Sequence, residues 1–526
     1  MIKIKGNNPG SAITYYLYGL SVVYLLPVKR HTIISTCLCI VVLLGISGCK
    51  KDKFISDASA KLEFSRDSVL FDTVFTSIGS STQNIRVRNK HNQKIKISSI
   101  ELTGGASSQF IINVDGAPGR KFTNLEIAPN DSMYIFIQVN VNPTNQNSPV
   151  IIDDALRFIV NGNEQTVVLE AWGQDAYYHY PNHAIKFKDG SYLPYSLADS
   201  LKESYTLTGD EITWKNDKPH VIYGYLVVDE GQKLLIPAGT RVYLNYKAGL
   251  WVYRYGQIRV LGQKGNEVIF QGARREKDYA DEPGQWDRIW INEGSNKNEI
   301  NYAIIKNGYI GVQTDVFGDT IGLPGRLKLT NTKIQNMSKW GLYCLGYQVY
   351  AGNNVISNCQ EYSVNLLLGG TYTFIHCTLS NFWNKDKPRD KPAVNINNYS
   401  EEQVLPLDSA YFGNCIIDGK LENEISLDVK SSSSFTPAYT FSSCWLKTTN
   451  STDDVAHYIS VRKGKEIGYK DITAYNFEPH PDETQIRGFT HINATRDAIK
   501  FKLDLNGKPR SYSIATGGVT AGAYEF

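Results

Sequence analysis

From Lys61 to about Ala176 the chain alternates apolar and polar residues in short runs. Ser68–Phe75, Gln83–Val87, Lys94–Leu102, Met133–Val139, Ala155–Val160 and Thr166–Ala171 are the clearest. Turn signals at Gly104-Gly105, Pro118-Gly119, Pro129-Asn130-Asp131 and Asn161-Gly162-Asn163 separate them. Period-2 runs at roughly ten-residue spacing predict strands with one buried face, arranged as an antiparallel sandwich over 61–176. The segment 177–222, rich in Tyr and Pro, lacks this alternation and reads as a connector.

Beyond Tyr223 the runs shorten and recur every eight to ten residues, from Tyr225–Val228, Lys233–Ile236 and Arg241–Leu244 through Ile300–Ile305 and Ile310–Gln313. Strands this short cannot hold a core as hairpins, so their burial has to come from stacking. A repeat supplies it. An aliphatic residue followed two places later by Asn recurs as Ile305/Asn307, Ile334/Asn336, Ile356/Asn358 and Leu379/Asn381, at intervals of 29, 22 and 23. Ile417 and Leu446 extend the series without the Asn. Three short strands per turn fit that period, which predicts a right-handed parallel β-helix over 223–450, with 451–526 as C-terminal coils and cap.

Stacking carries two further expectations. Asn307, Asn336, Asn358 and Asn381 should form a structural ladder at one bend, their amides satisfying turn backbone. Two residues before each aliphatic anchor stand Ala303, Thr332, Asn354, Cys377, Cys415 and Cys444, so Cys377, Cys415 and Cys444 should form a column of small buried thiols, with one disulfide between stacked cysteines as the alternative. No Cys-x-x-Cys occurs, which disfavours zinc, and no metal or cofactor is expected. His179 and His183 are four apart, but Pro181 between them argues against a metal-binding helix.

Composition agrees with an all-β chain: 43 Gly, 33 Tyr and only 3 Met among 526 residues. The formal charge of +3 comes from the first 48 residues, which hold four basic side chains and no acid; the remainder has 51 basic against 52 acidic. A near-neutral body gives no electrostatic reason to expect nucleic acid as a partner.

Lys29-Arg30-His31 precedes an apolar run, Thr32–Ile46, too short to span a bilayer and suited to a secretory signal. The sequence Ile46-Ser47-Gly48-Cys49 resembles the lipobox of bacterial lipoproteins. That resemblance implies cleavage before Cys49, a lipid anchor on it, and a linker over 49–60. The signal segment is 1–48; a start at Val28 would leave 1–27 untranslated, since a signal has no use for the earlier apolar stretch.

Ile127-Ala128-Pro129-Asn130-Asp131-Ser132 and the closing Leu169-Glu170-Ala171-Trp172-Gly173 resemble immunoglobulin-like modules near the N-terminus of exported bacterial proteins. Gly224–Phe270, Gly262–Gly272 and Pro283-Gly284-Gln285-Trp286 resemble right-handed β-helix lipoproteins of Bacteroidetes-type bacteria, and the tail Asp504–Arg510 with Gly522–Phe526 is similar to the closing motif of many secreted β-helix proteins. The resemblance implies an immunoglobulin-like β-sandwich followed by a pectin-lyase-like solenoid. It also implies an outer-membrane lipoprotein, periplasmic or surface-exposed, attached to the membrane through its lipid. It implies little about chemistry.

Three functions are weighed. A stacked-strand face can bind a glycan or a surface protein through aromatics. Trp251, Tyr253, Trp286 and Trp290 are the foremost candidates, and Tyr255, Trp340, Tyr343 and Tyr347 also qualify. A polysaccharide lyase or glycoside hydrolase needs clustered acids. Asp278, Asp281, Glu282 and Asp287, or the loop 385–391, could supply them, though mixed charge around Pro and Gly reads as solvated loop. A structural or adhesive spacer needs neither. No residue set identifies a catalytic centre.

Overall fold

The computed structural model describes residues 53–316, 325–385, 387–512 and 517–525. Cys49 and the signal segment lie outside them. The chain is all-β, 49% strand and 4% helical.

Residues 54–174 form two sheets about one core. The first orders Phe54–Ile55, Lys94–Leu102, Val150–Val160, Asn163–Gln174 and Ser68–Phe75, with Lys121–Ile127 also paired to Lys94–Leu102. The second orders Glu63–Phe64, Gln83–Arg88, Ser132–Val139, Phe110–Val114 and Ala117–Gly119. Inward residues such as Val69, Ile85, Phe110, Ile135, Phe158 and Leu169 interdigitate between them. The expected antiparallel pairing fails at both edges of the first sheet, where Phe54–Ile55 runs parallel to Lys94–Ile95 and Ser68–Phe75 parallel to Val168–Gln174. The second of these pairings brings Phe75 and Gln174 to the same end, where the chain passes into the next region and Phe75 packs edge-on against Tyr243, ring centres 5.0 Å apart.

From Tyr177 onward the strands fall in rotation into three long sheets, walls A, B and C, of 11, 10 and 11 strands. His220–Ile222 lies in wall A, Tyr225–Val228 in B and Lys233–Pro237 in C; Arg241–Leu244, Gly249–Val252 and Gln257–Leu261 repeat the circuit one layer on. Apart from antiparallel hairpins at the start, in walls B and C, neighbours within each wall are parallel. The result is a solenoid-like winding, compatible with a β-helix.

Alternation makes it hold together. Leu226 and Val228, Leu250 and Val252, and Ile289 and Ile291 point inward on successive layers and are fully buried, each contributing about 1.5–3 kcal/mol relative to exposure. Tyr225, Trp251 and Trp290 consequently face outward.

Residues 177–222, read from sequence as a connector, already supply strands to all three walls. The run 300–305 is two strands, Asn298–Asn301 in wall C and Ala303–Lys306 in wall A, divided by Tyr302 at φ 48°. The C-terminal residues lie along the outside of wall A. Ile467, Phe489, Ala494 and Ala521 pack on Ile416 and Trp445, and Phe477, Leu505 and Tyr524 on Val355 and Phe382. The short helix α1 (Ile492–Ala498) belongs to this strap.

Candidate functional site

The outer face of wall B is a column read off the strand register: Val227, Trp251, Trp290, Gln313, Tyr343, Asn365 and Asn395, one per layer. Trp251 and Trp290 follow Val227 toward one end, and the amides Gln313, Asn365 and Asn395, with Tyr343 among them, fill the rest. Trp251 and Trp290 stack with ring centres 4.7 Å apart and planes within 10°, and Tyr253 meets Trp251 edge-on at 5.3 Å. Trp251 is nearly buried beneath its neighbours, whereas Trp290 and Tyr253 are half-buried.

The indoles are oriented by one carboxylate. Asp315 Oδ1 accepts from Trp290 Nε1 at 2.8 Å and from Asn292 Nδ2 at 2.6 Å, while its Oδ2 accepts from Gln313 Nε2 at 2.7 Å. Asn292 Oδ1 in turn accepts from Trp251 Nε1 at 2.6 Å. Burial raises Asp315 above the ordinary carboxylate range, against the lowering effect of these three donors. Arg288 continues the network, donating to Gln313 and pairing with Asp287 at 2.9 Å; Tyr225 donates its hydroxyl to Asp287. Burial pushes the Tyr343 phenol up to about 12, keeping it a neutral donor at ordinary pH. At the amide end Asn395 Nδ2 donates to Asn365 Oδ1 at 2.9 Å.

This arrangement presents flat π-faces beside fixed amides, which suits a ligand with apolar ring faces and hydroxyl edges. It does not resemble a hydrolytic pair. Asp315 is occupied by three donors, Asp287 is ion-paired to Arg288, and the buried Glu293 is ion-paired to Arg254 at 2.6 Å. Among the described residues no group of three or more His, Cys, Asp or Glu is placed to hold a metal ion.

No family model and no curated protein matches this chain. Among solved structures, a protein of unknown function from Porphyromonas gingivalis W83 aligns over 24% of this chain and 50% of its own, at 13% identity and a TM-score of 0.17. A family 123 glycoside hydrolase from Clostridium perfringens aligns over 21% and 25%, at 10% identity and 0.16, and a PapD-like domain of human CEP192 over 23% and 89%, at 10% and 0.16. The chain therefore spans half or less of the first two. At such scores these likenesses carry no argument.

The other sequence candidates scatter. Trp286 is not a surface residue: it is 1% exposed, its Nε1 donates to the Lys306 carbonyl at 2.9 Å, and its ring closes against Gly308. Tyr347 is equally buried, its hydroxyl donating to the Asn292 carbonyl. His179 is buried in a stack with Trp214 and His220, and His183 is exposed on another wall.

The asparagine ladder needs correction. Asn307, Asn336 and Asn358 follow paired strands in register, each at positive φ, but Asn381 lies within the strand Thr378–Asn381. Only one direct amide bond joins them, Asn336 Nδ2 to Asn307 Oδ1 at 2.8 Å. Asn358 turns to the strap, donating to the Ile472 carbonyl, and Asn381 donates to the Cys359 and Glu361 carbonyls. Loops and the strap approach this bend closely enough to take the amides that a column would otherwise share.

The sequence did not reveal a second column, at the bend from wall C to wall A. Tyr302, Asn331, Asn353, His376, Asn414 and Ser443 all have φ between 48° and 59°. Here Asn353 donates to Asn331 at 2.8 Å and Asn331 to Asn301 at 2.8 Å. The varied residue types hide it, although each immediately precedes a member of the small-residue column. In that column Cys377, Cys415 and Cys444 are buried, free and stacked, the Cys415 amide donating to Cys444 Sγ at 3.3 Å.

Asp315, Asn292 and Gln313 were also missed. Aligning the wall B segments GLWV, RIWI, GVQT, GLYC and SVNL would have stacked Gln313 beneath the tryptophans.

Proposed function

We propose that this chain is a lipid-anchored cell-envelope protein that binds a glycan on the outer face of wall B, without catalysis. The supporting observation is the Trp251–Trp290 stack held edge-first by Asp315, which keeps the Trp290 plane in a fixed orientation beside Gln313, Tyr343 and Asn365. Pre-orientation lowers the entropy cost of binding. We read the winding as a right-handed parallel β-helix and the two-sheet region as an immunoglobulin-like sandwich, the pair resembling β-helix lipoproteins of Bacteroidetes-type bacteria. Cys49 would anchor the chain in the outer membrane, five residues ahead of the strand Phe54–Ile55, a tether of at most about 18 Å.

The test is incubation of the processed protein with a panel of immobilised polysaccharides, read for both retention and cleavage. Retention without product, lost at least tenfold in Trp290→Ala, is expected. Release of shortened or unsaturated product would replace this reading with a lyase or hydrolase, and neither retention nor product would leave a structural spacer.

A further inference from the structure

Wall C carries a separate site. Two outward columns run along it: Lys233, Gln257, Lys297, Arg326, Gln348 and Thr371 in one, and Arg259, Glu299, Lys328, Tyr350 and Thr373 in the other. Two open clefts of about 570 and 410 Å³ lie over them and share Arg326 and Lys328, forming one continuous groove.

The charges in the groove do not balance. Asp210 takes Lys233 at 2.5 Å, Glu211 takes Arg259 at 3.1 Å and Glu299 takes Lys328 at 2.8 Å. Lys297 and Arg326 remain. Both are exposed, and neither has an ionic partner among the described residues; Arg326 donates only to the Gln348 side-chain oxygen at 3.3 Å. Register places them side by side on adjacent layers, since Asn298 pairs with Leu327. Like charges directly opposed across a strand pair are unfavourable, and the parallel spacing holds these two strands about 4.8 Å apart. An anion seated between them removes that repulsion.

We propose that this groove binds an acidic polysaccharide lying along the winding axis, with its carboxylate or sulfate groups on Lys297 and Arg326 and its hydroxyls on Gln348, Thr371 and Thr373. The interleaved Glu299 and Asp210 disfavour a densely charged nucleic-acid backbone, whereas a chain with one charge per sugar can place each anion between them. The site lies on a different wall from Trp290 and stands or falls independently of it.

The test is retention of the full chain on immobilised polygalacturonate and chondroitin sulfate, with neutral dextran as blank. Wild type should bind the acidic matrices and elute with salt. Lys297→Glu with Arg326→Glu should weaken binding at least tenfold at unchanged circular dichroism, while Lys61→Glu with Lys188→Glu, at exposed positions elsewhere, should leave it within twofold. Equal binding by the groove variant, equal loss in the Lys61/Lys188 control, or tighter binding to double-stranded DNA or anionic lipid vesicles than to either polysaccharide would overturn the proposal.

Discussion

Trp290 and Asn292, two residues apart on one strand edge, both donate to a single oxygen of Asp315, at 2.8 and 2.6 Å. Removing that acceptor leaves an indole N–H and an amide to find other partners in a half-buried setting. Asp315→Ala should therefore cost about 2–3 kcal/mol in urea unfolding and red-shift the tryptophan emission, and Asp315→Asn, which keeps one carbonyl acceptor, should cost roughly half as much. Equal stability of all three proteins would mean that the network does not hold the indoles.

His179 and His220 predict a pH dependence. Burial lowers His220 from 6.5 to about 4 and lowers His179 in the same direction. The neutral rings are linked, His179 Nε2 to His220 Nδ1 at 3.0 Å, with His220 Nε2 against the Lys215 carbonyl at 2.8 Å. The unfolded chain binds these protons first, so the contribution is complete above pH 6.5 and is lost as pH falls toward 4. For His220 that amounts to about 3 kcal/mol. The decline in Tm between pH 6.5 and 4 should shrink in His179→Gln with His220→Gln.

Arg389 and Glu424 form a buried bidentate pair, 2% and 0% exposed, which closes the 383–391 loop onto the winding. Arg389→Met strands a buried carboxylate and should cost about 3–5 kcal/mol, while Arg389→Met with Glu424→Leu should recover most of it. Chemical denaturation of the four proteins of the cycle measures the difference.

Among these elements, the fold was easier to read than the site, for physical reasons. The aliphatic anchors Ile305, Ile334, Ile356 and Leu379 repeat because each layer must fill the same core position, so the winding leaves a periodic trace. The Asn307–Asn336 amide bond follows from the same register. Asn358 departs from it because the strap, distant in sequence, offers it the Ile472 carbonyl, and Asn381 because, lying within its strand, it reaches the Cys359 and Glu361 carbonyls of the adjacent layer. Trp286 and Trp290 look alike in sequence; parity within Ile289–Ile291 turns Trp290 outward, while Trp286 sits before the strand and folds under Gly308. Side-chain direction is set by register, which single-sequence alternation does not fix.

The second left-handed column is testable through Asn353, at φ 59°, which donates to Asn331 and accepts from the buried Arg510 at 2.6 Å. Asn353→Ala should cost about 2–4 kcal/mol, combining backbone strain with the stranded guanidinium, and Asn353→Gly should cost less because it escapes the strain and incurs only the second penalty. Thermal unfolding monitored by circular dichroism separates the two.

The cysteines of the winding should be chemically silent. Burial pushes Cys344 and Cys359 up to about 12 and Cys415 well above its ordinary value; in Cys377 burial is outweighed by hydrogen bonds, chiefly with Cys415, that lower the thiol, so its silence rests on the full burial that all five share. An aromatic disulfide reagent should label none of Cys344, Cys359, Cys377, Cys415 and Cys444 in the folded protein and all five in urea.

The glycan reading turns on whether a sugar sits against Trp290. A fluorescence titration with the best-retained oligosaccharide decides it: a saturable change in tryptophan emission should occur in the wild type and in Trp286→Phe, and disappear in Trp290→Phe. An undiminished change in Trp290→Phe would contradict the assignment of this face.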